Sequence, residues 1–128
     1  MSIIINKYDE ENRLDHCFYD SSNVLYSICN DKLDELKDLT VVFKDGRSYL
    51  YEQIPVNQYL MFRQSTSQGK DLFKYIAVKD KGVDRYKTTR IQDTDLKMLE
   101  SKKQQILEER EIKRKELLKE QENGEVKI

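Results

Sequence analysis

Short runs rich in apolar and β-branched residues occur over the first half of the chain, polar stretches separate them, and in the run over residues 24–29 one set of apolar residues occupies every second position. A period of two residues is typical of strands whose two faces meet different surroundings. An Asp-Gly pair between the last two runs, at Asp45-Gly46, is a hairpin signal. We therefore predict an antiparallel sheet, with Val24, Tyr26 and Ile28 sharing one face of its third strand. The predicted strands are residues 3–5, 14–19, 24–29, 39–43 and 48–51.

Pro55 is the only proline, and it separates this β-rich part from a segment with helical spacing. Val56, Tyr59 and Leu60 fall on one face of a predicted helix over residues 56–64. After it we predict a loop over residues 65–70, a helical turn or a strand over residues 71–78, and an exposed hairpin over residues 79–87 with its turn at Lys81-Gly82.

Residues 92–128 contain no aromatic residue and are rich in charge. Asp93 or Thr94 can cap a helix, and Asp95 would lie in its first turn. The next helix breaker is Gly124, so we predict one helix of roughly 28 residues, about 40 Å long. The fold class expected is α+β: an antiparallel β-sheet with a short helix over residues 1–91, then a long charged C-terminal α-helix over residues 92–128.

Charge limits the classes of partner. The chain of 128 residues has 23 Lys and Arg against 24 Asp and Glu, a net charge of −1. Sequence-independent binding to long nucleic acids needs a field of uncompensated positive charge, which this composition does not supply. A local basic patch would suit a small nucleotide or a short RNA.

The N-terminus has a three-residue apolar run, too short for an export signal or a membrane span. We therefore expect a cytoplasmic protein without membrane contact. In that compartment Cys17 and Cys29 are expected to be reduced thiols that pack as small hydrophobic residues.

Catalytic signals are weak. His16 is the only histidine, and on a strand its side chain would point away from that of its neighbour Cys17. No cysteine and histidine spacing fits zinc. Asp71 follows Gly69-Lys70 where a phosphate-binding loop has a hydroxyl residue. We predict that the protein is not an enzyme and carries no cofactor.

The sequence offers two candidate ligand contacts within residues 49–70, and each has a structural alternative. Ser67, Gly69 and Lys70 could form an anion-binding turn, or Gly69 could end a helix in the left-handed conformation. Tyr49 and Tyr51 share a strand face, where they could stack bases or fill the core.

Cationic residues form two further candidate sites. Arg85 and Arg90 belong to a stretch in which five cations accompany two acids over residues 79–90. On the predicted C-terminal helix, Lys103, Arg110 and Arg114 share one face, where paired guanidinium groups suit phosphate oxygens. A solvated face neutralised by nearby glutamates is the alternative.

A set of short motifs follows in order over the region of residues 22–76: Ser21-Ser22-Asn23-Val24, Leu39-Thr40-Val41-Val42-Phe43, Asp45-Gly46-Arg47, Tyr49-Leu50-Tyr51, Ile54-Pro55, Tyr59, Ser67-Gln68-Gly69-Lys70, Leu72-Phe73 and Ile76. This ordered set resembles the KTSC family, a short domain of bacterial and phage proteins that also ends some lysyl-tRNA synthetases. The connection over residues 31–38 is longer and more acidic than is usual in that family, and Ser65 replaces its usual alanine. The resemblance implies RNA binding by Tyr49, Tyr51 and residues 67–70.

The predicted architecture, a small β-rich domain followed by a long arginine-bearing helix, resembles that of phage proteins that sequester nucleotide signals of the Thoeris defence system. The resemblance is one of architecture alone. Our leading hypothesis is a non-catalytic protein that binds a phosphate-bearing nucleotide, such as an immune signal, as a homodimer or higher homo-oligomer. The alternatives are an RNA-binding KTSC module and a structural protein that assembles through its long helix.

Overall fold

A computed structural model describes residues 3–20, 23–30 and 35–126, with side chains as far as residue 119. Its contacts divide the chain into two compact units, Met1–Leu96 and Lys97–Ile128. The sequence prediction had placed this boundary after residue 91. Ser21-Ser22, where the resemblance to the KTSC family begins, and residues 31–34 of the acidic connection lie outside the described residues.

The first unit is built on a six-stranded antiparallel sheet with the order β1-β2-β3-β4-β5-β8. Its strands are β1 (Ile3–Asp9), β2 (Leu14–Tyr19), β3 (Val24–Asn30), β4 (Leu36–Phe43), β5 (Ser48–Pro55) and β8 (Thr88–Ile91). The predicted α+β class is confirmed. Strand β8 was not predicted, because Ile91 is its only large apolar residue and no alternating pattern forms.

The exposed hairpin is present as β6 (Lys79–Asp80) and β7 (Val83–Asp84). Its turn is at the predicted position, since Lys81 and Gly82 have φ angles of 54° and 83°. Two consecutive positive φ angles are typical of the turns that match the twist of a hairpin.

Three short helical segments follow the fifth strand. They are α1 (Val56–Arg63), α2 (Gln68–Asp71) and a π-helix over Leu72–Ile76, so the helical alternative for residues 71–78 is the correct one. Helix α1 buries Tyr59 and Phe62, whereas Leu60, which was predicted on the apolar face, is 41% exposed. One core cluster joins these segments to the sheet through Tyr59, Phe62, Leu72 and Ile76 on the helical side and Leu39, Val41, Tyr51 and Ile54 on the strands.

A β-bulge corrects the predicted faces of β3. Val24 lies opposite Phe43, but Tyr26 lies opposite Val42, with a register shift between the two pairs. Because Val42 and Phe43 are neighbours on opposite faces of β4, Val24 and Tyr26 also face opposite sides. Val24 joins the core cluster, whereas Tyr26 packs against Phe18, with ring centroids 4.5 Å apart and ring planes inclined at 43°.

Helix α3 (Leu96–Val126) has 31 residues, about 46 Å at 1.5 Å per residue. It begins later than predicted, so Asp95 precedes its first turn. Thr94 instead holds the turn after β4: its N–H donates to the Gly46 carbonyl at 2.8 Å, and its hydroxyl contacts that of Ser48 at 2.6 Å. The helix also continues through Gly124. None of the helices in the described part of the chain is long and apolar enough to cross a membrane.

Candidate ligand-binding pocket

A pocket of about 600 Å³ opens beside the turn between β4 and β5. The π-helix, the β6–β7 hairpin and strand β8 supply its other walls, so the pocket belongs to the first unit. Its lining residues are Asn23, Phe43, Lys44, Asp45, Arg47, Tyr49, Tyr51, Phe73, Ala77, Lys79, Asp84 and Thr88.

One wall of the pocket is aromatic. Phe43 and Tyr49 meet edge to face, with ring centroids 5.8 Å apart and planes at 86°. Tyr49 is half-buried and Tyr51 is buried. Both rings pack on the core, and both also line the pocket. The two roles that the sequence left open for these tyrosines, core packing and ligand contact, are therefore compatible. Phe73, at the pocket mouth, is 59% exposed. Such a wall can stack on a planar ring.

Cations surround this wall. Within the described residues, the ammonium groups of Lys44 and Lys79 form no ion pair, whereas Arg47 pairs with Asp45 at 2.6 Å. Hydrogen bonds from the Arg47 backbone N–H and guanidinium hold the pKa of Asp45 below its ordinary value. Lys44 and Lys79 are therefore the cations best able to accept an anionic group of a ligand.

Two polar groups complete the pocket. Burial, helped by the nearby Tyr49 and Asp84, raises the pKa of Tyr51 to about 12, so its hydroxyl stays protonated at neutral pH. Asp84 reaches the pocket from β7. The site therefore combines an aromatic wall, cations, a carboxylate and a neutral hydroxyl.

Asn23 connects the pocket to the segment over residues 67–70. Its carbonyl accepts the Lys44 N–H at 2.9 Å, and its side chain lies against Gly69, where an added Cβ would be 3.1 Å from the Asn23 Cβ. The predicted contacts Ser67, Gly69 and Lys70 do not themselves line the pocket.

The geometry of that segment excludes the helix-cap alternative for Gly69. Gly69 lies inside α2 and is not among the residues with a positive φ angle, so it forms no left-handed helix cap. The Ser67 N–H already donates to the Ser65 hydroxyl at 2.9 Å, and the Gln68 side-chain amide donates to the Ser65 carbonyl at 2.9 Å. These internal bonds give the segment a structural role.

Acidic neighbours offset the basic stretch over residues 79–90. Arg85 makes two bonds of 2.9 Å to Asp80, and Arg90 lies 3.4 Å from Asp93. Neither arginine lines the pocket. The remaining predicted contacts lie on α3, where Lys103 is half-buried and Arg110 and Arg114 are exposed. Of the candidate residues named from the sequence, Tyr49 and Tyr51 line this pocket, and the predicted basic stretch over residues 79–90 contributes Lys79.

A second polar cluster lies between β2 and α1. The Asp15 carboxylate accepts bonds from Asn6 at 2.6 Å, the Tyr59 hydroxyl at 2.5 Å and Arg63 Nε at 2.9 Å. Desolvation raises the pKa of the adjacent Cys17 thiol, with a smaller contribution from Asp15. These groups are partners of one another, which indicates a structural cluster.

His16 and Cys17 lie on opposite faces of β2, as their spacing predicted. Cys17 belongs to the core cluster, and His16 Nδ1 bonds to the Tyr26 hydroxyl on the other face. Among the residues that the structure describes, no group of three or more His, Cys, Asp or Glu side chains could hold a metal ion.

Most of the pocket was missed from the sequence. Lys44 and Arg47 flank the predicted Asp-Gly turn, and this position beside the turn was the one sequence feature that could have indicated them as pocket residues. Phe73, Lys79 and Asp84 reach the site through a π-helix and a short hairpin, whose placement no local pattern encodes.

The chain matches no family model, no curated protein and no solved structure. The resemblance of residues 22–76 to the KTSC family therefore stays a prediction.

Proposed function

We propose that this protein is a non-catalytic binding protein for a phosphate-bearing nucleotide, held in the pocket beside the β4–β5 turn. The observation that carries the proposal is the pairing of the aromatic wall with Lys44 and Lys79, two cations without an ion-pair partner in the described residues. A base would stack on Tyr49 or Phe73, and its phosphate would meet the two ammonium groups.

The size of the pocket favours a small ligand. A volume of about 600 Å³ lies in the range of small-molecule sites. A long RNA would need a continuous row of available cations, yet Arg85, Lys87 and Arg90 each lie beside a carboxylate. RNA binding by a KTSC-like module is therefore the second candidate.

We propose a role without turnover because the one nucleophile and base pair that the sequence offers, His16 and Cys17, lies outside the pocket. The pocket lining contains neither histidine nor cysteine. His16 and Cys17 face opposite sides of the sheet and cannot act as a pair.

Calorimetric titration with the four nucleoside 5′-monophosphates and the matching nucleosides tests the proposal. We expect binding of at least one monophosphate, and about tenfold or greater weakening when the phosphate is removed, since charged hydrogen bonds contribute about 1.5–3 kcal/mol. Lys44→Ala combined with Lys79→Ala should reduce the affinity for the monophosphate to that for the nucleoside. No binding of any monophosphate would refute the proposal.

The control is Lys81→Asn, which removes a cation from the same hairpin outside the pocket lining. Asparagine tolerates the positive φ angle of 54° at this position, so the turn is preserved. This variant should bind like the wild type.

Salt dependence separates the two candidates. The affinity for a mononucleotide should fall only slightly with salt, whereas an RNA that contacts several phosphates should give a steep slope. Native mass spectrometry of the protein from its own cells would identify a co-purified nucleotide and so test the narrower expectation of an immune signal.

A further inference from the structure

Tyr51 differs from the other buried tyrosines in the hydrogen bonding of its hydroxyl group. The hydroxyl of Tyr19 contacts Ser27 at 2.8 Å, that of Tyr59 donates to Asp15 at 2.5 Å, and that of Tyr26 bonds to His16. Tyr51 is only 3% exposed and lines the pocket, but within the described part of the chain its hydroxyl has no hydrogen-bond partner. Buried polar groups in native proteins are nearly always paired, so this one requires an explanation.

Asp84, an exposed residue of β7, supplies a carboxylate to the same pocket. Neither an ion pair nor a hydrogen bond engages its carboxylate among the described residues, although Lys79 is its backbone partner across the hairpin. Its charge is one of the contributions that raise the pKa of Tyr51, after burial and Tyr49, and both residues line the pocket.

We propose that the Tyr51 hydroxyl and the Asp84 carboxylate recognise the hydrogen-bonding edge of a nucleobase whose ring stacks in the pocket. This inference rests on the proposed function and assigns the base specificity of that same site. Tyr51 satisfies its buried hydroxyl through the ligand, and Asp84 selects ligands that present N–H groups.

The chemistry of the two groups defines the ligand class. An ionised carboxylate only accepts hydrogen bonds, whereas a neutral phenol can donate one or accept one. The matching edge carries an amino group beside a ring nitrogen or a carbonyl. Cytosine offers its N4 amino group to an aspartate, while uracil places a carbonyl oxygen there. Cytosine should therefore bind more tightly than uracil, and guanine more tightly than hypoxanthine, which lacks the 2-amino group.

The test measures the affinities of CMP, UMP, GMP and IMP for the wild type and for Tyr51→Phe, together with the free energy of unfolding of each protein. Removing the hydroxyl should weaken the better-bound nucleotides about 5- to 100-fold, the range expected when one buried partner is left unsatisfied. The stability of the free protein should be unchanged or higher, because the hydroxyl has no protein partner to lose. Tyr75→Phe, at a half-buried tyrosine outside the pocket lining, is the matched control.

Asp84→Asn tests selectivity. It should lower the ratio of CMP to UMP affinity by roughly tenfold, since the variant amide can donate a hydrogen bond to the uracil carbonyl. Asp93→Asn removes an exposed carboxylate outside the pocket lining and should leave the ratio unchanged.

Three outcomes overturn the inference, and they differ in what they say of the proposed function. If the wild type binds none of the four nucleotides, the inference falls, and if it does not bind AMP either, the proposed function falls with it. If it binds them but Tyr51→Phe and Asp84→Asn leave affinities and ratios unchanged, the base-recognition role fails and nucleotide binding stands. If Tyr51→Phe unfolds at lower denaturant while Tyr75→Phe does not, the hydroxyl has a protein partner and the role also fails.

Discussion

Asp15 of β2 accepts the hydrogen bonds that connect this strand to α1. Its side chain is 18% exposed and that of Arg63 is 23% exposed, so the pair is largely removed from water. Removing one partner from such a pair leaves an uncompensated charge. The donors Asn6, Tyr59 and Arg63 come from β1 and α1, so this one residue ties two elements to the second strand.

Asp15→Asn should lower the free energy of unfolding by about 2–4 kcal/mol, because Arg63 loses its charged partner and Tyr59 a charged acceptor. Urea unfolding followed by circular dichroism measures the change. Asp45→Asn is the matched control, since it breaks an ion pair whose side chains are both 53% exposed and should cost less than about 1 kcal/mol. Equal effects of the two substitutions would contradict this prediction.

Buried tyrosines give the protein a sensitivity to alkali. Burial raises the pKa of Tyr51 to about 12 from an ordinary value of 10, and it also raises the pKa values of Tyr19 and Tyr59. The unfolded chain therefore releases these protons first as the pH rises. The stabilisation is complete below pH 10 and is lost progressively above it.

For Tyr51 alone the expected loss between about pH 10 and pH 12 is roughly 2–3 kcal/mol. Unfolding free energies measured across this range should fall, and the Tyr51→Phe variant should fall less steeply than the wild type. A flat profile in both proteins would show that these tyrosines do not titrate differently on folding.

At the scale of elements, α2 influences the pocket without lining it. The carbonyl of Asn23 accepts the Lys44 N–H, and its side chain lies against Gly69 in α2. A glycine inside a helical turn is normally unfavourable relative to alanine. The close approach of Asn23 supplies the reason for glycine at this position.

Gly69→Ala should therefore show strong coupling to residue 23. In the wild-type background the gain in helix propensity of about 1 kcal/mol is offset by the contact with Asn23, whereas in an Asn23→Gly background the gain should be realised. A double-mutant cycle of urea unfolding measures this coupling. Additive effects of the two substitutions would contradict it.

The amide resonance of Lys44 reports whether the contact reaches the pocket. We expect it to shift in Gly69→Ala and to remain near its wild-type position in Lys70→Ala, an exposed substitution on the same turn.

At the scale of the whole molecule, the distal part of α3 exposes large apolar side chains. Leu117 and Leu118 are 58% and 49% exposed, and Ile112, roughly opposite on the helix at 100° per residue, is 59% exposed. Apolar residues on an otherwise charged helix favour a helical partner, and a second copy of this chain is the partner that the sequence predicts.

We expect the wild type to sediment as a dimer or larger species at micromolar concentration. Leu117→Glu combined with Leu118→Glu should give a monomer, because two charges enter the apolar contact. Ile112→Glu places one charge on the other side of the helix and should sediment like the wild type. A monomeric wild type would refute association through this helix.

The sequence determined the elements whose signals are local. The β-rich runs over residues 39–43 and 48–51, the Asp-Gly turn between them and the charged run after residue 92 each depend on near neighbours, and the structure contains the corresponding strands, turn and helix. The opposed faces of His16 and Cys17 followed from strand geometry alone.

Tertiary structure decided which of these residues share a site. Tyr51 meets Thr88 only because β8 pairs with β5, and Val24 and Tyr26 take opposite faces only because β3 has a bulge. The pocket draws on several short segments between Asn23 and Thr88. Each segment contributes one or a few side chains, which are too few to form a recognisable sequence pattern. Alternation records which face of a strand is buried, but the register between strands is a long-range property of the packed sheet, and the pocket depends on that register.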